Sequence, residues 1–383
     1  MVSIATPVTS PEKLLRELIA LPSVNPAFVP PNHPQAGEQR VADFLAATAA
    51  QGGLPVEFQK ISQGRSNFIT RLSPTGKTTR RILLAPHLDT VPAANEKQFS
   101  PTKKNGCIYG RGACDTKGSV AAMLCALISL ANDANRPKQT EIIFAGLIDE
   151  EDGQRGSRAL VASGLKADLA IVGEPTELKI VTAHKGSLWL RLETRGKAAH
   201  GSTPHLGKNA VHQMARVVDL LETNYAAKLR RRKHPLLGHA TMNVGTISGG
   251  TQPNIVPDRC IISADRRTLP GETEQTVRRE IQQLLRAKNL SANIHDSRAA
   301  FCGSLETDFK LPIVQQFFRS TGQKKTFGVD YFCDAAVLSQ AGIPSIVFGP
   351  GNIAQAHTSD EWISIRSLEQ AAAMLLKFLK SLP

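Results

Sequence analysis

Aromatic residues are scarce in this 383-residue chain: 5% overall, with two tryptophans and three tyrosines. Cysteine is also scarce, six in all with no CxxC pair, which argues against a disulfide framework and leaves reduced thiols in a cytoplasmic protein as the simplest reading. No segment approaches the roughly 18 uninterrupted apolar residues that a membrane-spanning helix needs. The opening stretch "MVSIATPVTSPEKLLRELIALPSVNP" lacks a basic region followed by an apolar one, so no secretory signal is expected. There is no internal repeat and no low-complexity segment. Acidic residues are the minority charge, 33 Asp+Glu against 46 Lys+Arg, for a formal net charge of +13. That excess invites a nucleic-acid reading. However, the cations are spread along the chain, and "LRRRKHP" (229–235) is the one dense cluster. Such a run reads as a solvated loop, and no nucleic-acid partner is expected.

What the chain does have is an ordinary 41% of hydrophobic residues in an orderly pattern. "RILLAP" (81–86), "EIIFAGLI" (141–148) and "ADLAIV" (167–172) are short, apolar and ended by punctuation, as buried strands are. Between the first two, "KGSVAAMLCALISLAN" (117–132) is apolar at helical spacing. Strand, helix, strand is the grammar of an α/β sheet, mainly parallel. The C-terminal stretch resumes it with a helix at 335–342, a strand at 343–349 and a closing amphipathic helix at 367–382. The middle reads differently: strand 187–194, helix 208–222, strands 239–247 and 258–266, helix 272–288 and strand 290–296. That β-α-β-β-α-β order is ferredoxin-like. The expected organisation is therefore an α/β domain over 1–180 and 298–383, interrupted by a small α+β domain over 181–297.

Within the basic chain, "LIDEEDG" (147–153) crowds Asp149, Glu150, Glu151 and Asp152 at the end of a strand. Adjacent like charges are tolerated when water screens them on a turn or when a cation sits among them. The other strand ends favour the cation. "HLDTVP" follows the first strand with His87 and Asp89, "GEPT" follows the third with Glu174, and His357 follows the C-terminal strand. Open α/β sheets bind ligands at the carboxyl ends of their strands, so these segments converge on one crevice. Asp115, two residues before the long helix, belongs to the same rim. Taken alone, Asp115 could cap its helix, Asp89 could serve an Asx-turn and His87 could be a core histidine. Together they form an N and O donor set without thiolates, which suits zinc, or less well cobalt or manganese.

In this order, "HLDTVP", "GRGACDTKG", "DEEDG", "GEPT" and "AHTSDEW" resemble the acetylornithine deacetylase / succinyl-diaminopimelate desuccinylase family of dinuclear zinc metallohydrolases, which also contains glutamate carboxypeptidase and several dipeptidases. The resemblance runs over nearly the whole chain, including "GKAAHGSTPHLGKNA" and "DRRTLPGE" in the middle domain. It implies two zinc ions per subunit, one held by His87 and Glu174, the other by Glu151 and His357, with Asp115 bridging them. It also implies that Asp89 takes the other ring nitrogen of His87, and that the Asp115–Thr116 peptide bond is cis. Glu150 is left without a metal and would act as general base. Neighbouring side chains of an extended segment point to opposite sides, so Glu150 and Glu151 would not both hold one ion.

In the middle domain, which the resemblance makes a lid and dimerisation domain, His200 would stabilise the tetrahedral oxyanion. Arg267 would hold the substrate carboxylate through its guanidinium fork, and Asn254 would also contact substrate. Arg266, on the opposite strand face, reads as a solvated charge. "GPG" (349–351) and Cys333 are expected to line the pocket, and Cys107 and Cys114 to be buried structural thiols. A homodimer is expected. The implied reaction is hydrolysis of an N-acyl amino acid or peptide amide. "FGPGNIAQAHTSDEW" resembles the deacetylase branch: N-acetyl-ornithine to ornithine and acetate. Desuccinylase and carboxypeptidase or dipeptidase activities are the alternatives within the family. A zinc-binding homologue without turnover would have lost the base or a ligand, and neither is missing here.

Overall fold

The computed structural model describes residues 10–296 and 301–383. The expected domain boundary at 297/298 lies outside the described residues. The chain divides into two compact units, one of residues 1–182, 307–327 and 333–383, the other of residues 183–306 and 328–332.

The first unit is built on a mixed sheet. Six of its strands run in the order Glu57–Ser62, Arg65–Leu72, Thr140–Gly146, Arg80–Pro86, Leu169–Gly173 and Ser345–Val347. The last four are parallel to one another, whereas Arg65–Leu72 joins them antiparallel. The parallel strands are buried almost end to end, which is why they read as continuous apolar runs rather than alternating ones. Helix Lys117–Ala131 is buried at every residue except Ser129 and Ala131. A helix apolar all round must be wrapped, and helices Pro11–Ile19 and Ile365–Lys380 pack against it with their own apolar faces. Parallel strands share a direction, so the residues that follow them emerge on the same side. His87 follows one strand, and Asp149 to Glu151 follow its parallel neighbour, with His87 bridging to Leu147.

The second unit has a four-stranded antiparallel sheet in the order Thr241–Gly249, Arg259–Thr268, Gly186–Arg195, Asn293–Asp296. Helices Ala210–Leu220 and Glu274–Ala287 supply apolar residues to its core, among them Met214, Val217, Ile281 and Leu285. The elements follow the expected β-α-β-β-α-β order. The first helix does not stop near 222: it runs through a π turn at Leu221–Tyr225 into Ala226–Arg230, carrying the start of the basic cluster with it. That cluster is also less solvated than expected. Arg232 pairs with Glu272 at 2.8 Å and with Glu280.

Arg266 corrects a second expectation. It is fully buried, donating through Nη2 to Glu272 at 2.7 Å and through Nε to the Tyr225 hydroxyl at 3.3 Å. Strand alternation does set it opposite Asp265 and Arg267, but that face is the core: Cys260, Ile262, Ala264, Arg266 and Thr268 are all buried. A charge can sit there because Glu272 and Tyr225 receive it.

Candidate metal centre

Asp115 stands in the centre of the cluster, in the loop before helix Lys117–Ala131. Its two oxygens face different histidines: Oδ1 is 3.0 Å from His87 Nε2, and Oδ2 is 3.3 Å from His357 Nε2. Two donor groups result, His87 with Asp115 and Glu174, and Asp115 with Glu151 and His357, and the donor atoms of each lie within 4.8 Å of one another. The peptide bond between Asp115 and Thr116 is cis. Asp115 does not cap its helix, since Thr116 occupies that position without a side-chain cap bond.

His87, Asp115 and Glu174 are buried, Glu151 is partly buried, and His357 is more than half exposed, so the second group is the open one. His357 Nε2 is 3.2 Å from Glu151 Oε2. Its hydrogen bonds to Asp115 and Glu151 raise its pKa to about 10. Burial pushes the Asp115 carboxyl up, but the bonds from His357 and His87 outweigh it and hold the group below the usual range. Burial, reinforced by the Asp115 charge, pushes Glu174 well up. Glu174 Oε1 is buried without a hydrogen-bond partner. A buried carboxylate oxygen left that way calls for a cation. Two imidazoles and three carboxylates, no thiolate, fit a pair of divalent ions.

Glu150 is buried, and burial followed by the Glu174 charge raises its pKa well above that of an ordinary carboxyl. Asp89 holds the backbone beneath it, accepting the Glu150 N–H through Oδ1 and the Glu151 N–H through Oδ2, each at 3.1 Å. Asn25 donates to the same Oδ2 at 2.8 Å. This modifies the expected role of Asp89. The near partner of His87 Nδ1 is the Asp89 carbonyl at 3.0 Å, while the carboxylate lies 3.6 Å away. Both Asp89 oxygens accept backbone amides, and the carbonyl is the nearer of the residue's two contacts with the ring.

Asp149, the first of the four consecutive acids, is satisfied by cations of the protein. Arg65 donates to it at 2.9 Å and Arg155 at 2.7 Å, and Asn25 joins them at 3.1 Å. Arg65 also pairs with buried Glu38. A second acid that sequence reasoning left aside is Asp334, buried beside Ser157, whose hydroxyl donates to Oδ1 at 2.6 Å. Burial raises it to about 7. Cys333 is fully buried, and burial together with the Glu174 and Glu150 charges holds its thiol well up. Cys114 is buried as expected, whereas Cys107 is only partly so. Gly349 of the "GPG" segment packs on the Glu174 backbone, where a Cβ would come within 2.6 Å of the carbonyl oxygen.

The structure thus brings together His87, Asp89, Asp115, Glu150, Glu151, Glu174 and His357 in the first unit. His200, Asn254 and Arg267 belong to the second. His200 is exposed, its Nδ1 2.7 Å from the Ser202 hydroxyl, and the Asn254 carbonyl accepts the neighbouring Gly201 N–H at 2.7 Å. Arg267 is near the far end of its strand from the Asn254 turn and donates through Nε to Asp265 at 2.8 Å. Glu361 and Arg111 were missed. Both stand inside quoted motifs, but only their burial against each other marks them.

This fold and donor set define a metal-dependent hydrolase, and known proteins agree. Residues 83–381 match the peptidase family M20/M25/M40, and the chain belongs to that family. An acetylornithine deacetylase from Proteus mirabilis is 30% identical over 384 residues, covering 96% of each chain. Among solved structures, a tripeptidase from Staphylococcus aureus shares the fold with a TM-score of 0.77 at 22% identity, with 98% of each chain covered. A dinuclear metal binding peptidase of the M20 family from Bacillus subtilis does so with a TM-score of 0.70 at 13% identity, over 97% of each chain. No helix among the described residues is long and apolar enough to cross a membrane.

Proposed function

We propose that this chain is an amidohydrolase that cleaves N-acetyl-ornithine to ornithine and acetate. The observation that carries the site reading is the position of Asp115 between two histidines that each have a carboxylate of their own. His87, Glu174 and Asp115 would hold one zinc ion, and Asp115, Glu151 and His357 the other. Bound there, the ions would polarise the amide carbonyl and make a water acidic enough to attack at neutral pH. Glu150 serves as the general base. Buried beside Glu174 yet outside both donor groups, it would take a proton from the attacking water and deliver it to the leaving amine. Asp89 keeps Glu150 and Glu151 at fixed spacing through their amides. Hydrogen bonding from His87 Nδ1 to the Asp89 carbonyl leaves Nε2 as the ring's donor atom to a metal.

The substrate reading follows the deacetylase relative and the "FGPGNIAQAHTSDEW" segment. In the second unit, His200 would stabilise the developing oxyanion, Arg267 would receive the substrate carboxylate and Asn254 would contact the substrate. That unit would also act as lid and as the interface of a homodimer. The test is the initial rate of ornithine release from N-acetyl-L-ornithine by zinc-reloaded protein against a chelator-stripped control. A fast, zinc-dependent rate supports the reading. No rate from fully loaded protein, with turnover of N-succinyl-diaminopimelate or of a dipeptide instead, overturns the substrate and keeps the reaction class.

A further inference from the structure

We propose that Glu361 and Arg111 form a positioning pair that ties the Asp115 loop to the His357 loop and thereby sets how tightly the second metal ion is held. The inference rests on the ligand reading above. Glu361 and Arg111 are 1% and 2% exposed. Glu361 Oε1 accepts the backbone N–H groups of Cys114 at 2.8 Å and Asp115 at 3.0 Å. Its Oε2 accepts Arg111 Nη1 at 2.7 Å and the Gly112 N–H at 2.9 Å. Three of its four donors are therefore amides of the loop that delivers Asp115. Arg111 reaches the other way, donating through Nη2 to the carbonyl of Thr358, the residue after His357, at 3.1 Å. Main-chain bonds continue the tie. Gly110 donates to the Glu361 carbonyl at 3.0 Å, and Trp362–Ser364 pairs antiparallel with Cys107–Tyr109.

A buried ion pair often contributes little net stability, because desolvation offsets the attraction. This pair is not arranged for its own satisfaction either: Arg111 Nε is buried without a hydrogen-bond partner. What the pair does is fix two loops whose side chains meet at Asp115 Oδ2 and His357 Nε2, 3.3 Å apart. His357 belongs only to the donor group with Glu151, so slippage between these loops opens that group more than the one containing His87 and Glu174. Partners behind metal ligands typically contribute about 10- to 100-fold in metal affinity.

The test is Glu361→Gln, which keeps the shape but replaces one acceptor oxygen with an amide NH2 that faces donors. Chelator-stripped protein is titrated with zinc against a chromophoric chelator, with circular dichroism to establish folding. Expected is a second ion bound at least tenfold more weakly, with the first within about threefold of the wild type, as the roughly 10- to 100-fold scale for such partners implies. Arg111→Lys keeps the charge but cannot fork to both Glu361 and Thr358. It should show the same selective loss, and it decides the matter if Glu361→Gln does not fold. Equal weakening of both ions, or no weakening in a folded variant, overturns the inference. His357→Ala run in parallel separates the two readings. If it too binds both ions at full strength, the ligand reading has failed. If it loses one ion while Glu361→Gln loses none, only the positioning pair has.

Discussion

The backbone N–H of Glu150 donates to Asp89 Oδ1 at 3.1 Å, and the next amide, that of Glu151, donates to Oδ2 of the same carboxylate. One buried acid thus spaces the proposed general base and a proposed metal ligand. Asp89→Asn would turn one acceptor into a donor facing a buried amide, a mismatch worth about 1–3 kcal/mol. The expected result is a lower thermal midpoint and a loss of kcat/KM of at least tenfold. Unfolding scans and steady-state kinetics on the same preparation check both.

Glu150→Gln should keep the fold and both metal ions while losing turnover by about 10²–10⁴-fold, the range of a lost general base. Glu151→Ala should instead lose one ion. Metal content by mass spectrometry, measured beside kcat, distinguishes them. A Glu150→Gln variant that keeps full activity removes Glu150 as the base.

Metal removal should make stability fall as pH rises. In the metal-free protein, His357 is raised to about 10, Asp334 to about 7, and burial holds Glu150 and Glu174 well up. A group raised in the folded state binds protons more tightly there than in the unfolded chain. Its contribution is present at low pH and lost as pH climbs through the folded value. Asp334 loses its share between about pH 4 and pH 7, and His357 between about pH 6.5 and pH 10. Together with Glu150 and Glu174 they outweigh buried Lys117, which is lowered to about 7 and works the other way above that pH. Stripped protein should therefore melt at a lower temperature at pH 9 than at pH 6. Zinc should shrink the difference, because it takes the place of the protons on His357 and Glu174. Calorimetry at the two pH values, with and without metal, reads this directly.

Arg65→Met should be one of the more damaging single changes away from the proposed metal ligands. Arg65 lies between Glu38 and Asp149, both with fully buried side chains. Removing the cation leaves two buried carboxylates with less compensation, and breaking a buried pair this way costs about 3–5 kcal/mol. Urea denaturation followed by circular dichroism measures it. A loss below about 1 kcal/mol would show that Asn25 and Arg155 suffice for Asp149.

Much of the fold was legible because the central strands of the first unit are parallel and buried almost end to end, which forces short continuous apolar runs such as "RILLAP" and "EIIFAGLI". The same regularity made the site legible, since residues that follow parallel strands must emerge on one side, as His87 and Glu150 do. The clearest failures were charges. Arg266 reads as solvated and is buried, and the cluster at 229–235 reads as loop yet begins in a helix and contributes Arg232 to an ion pair. Periodicity assigns a residue to a face, but it cannot say that an acid from elsewhere in the chain is there to receive it.

By itself, the sequence determined the element types, the order of the second unit and which carboxylates and imidazoles follow the strands, because these depend on local spacing and strand direction. Only the tertiary structure decided how each acid is compensated. Of the adjacent acids Asp149, Glu150 and Glu151, the first pairs with Arg65 and Arg155, the second is buried beside Glu174, and the third meets His357. Glu361 likewise gained its role only when folding set it against three amides and Arg111. Electrostatic compensation acts through space between residues far apart in the chain, and local pattern carries no record of those distances.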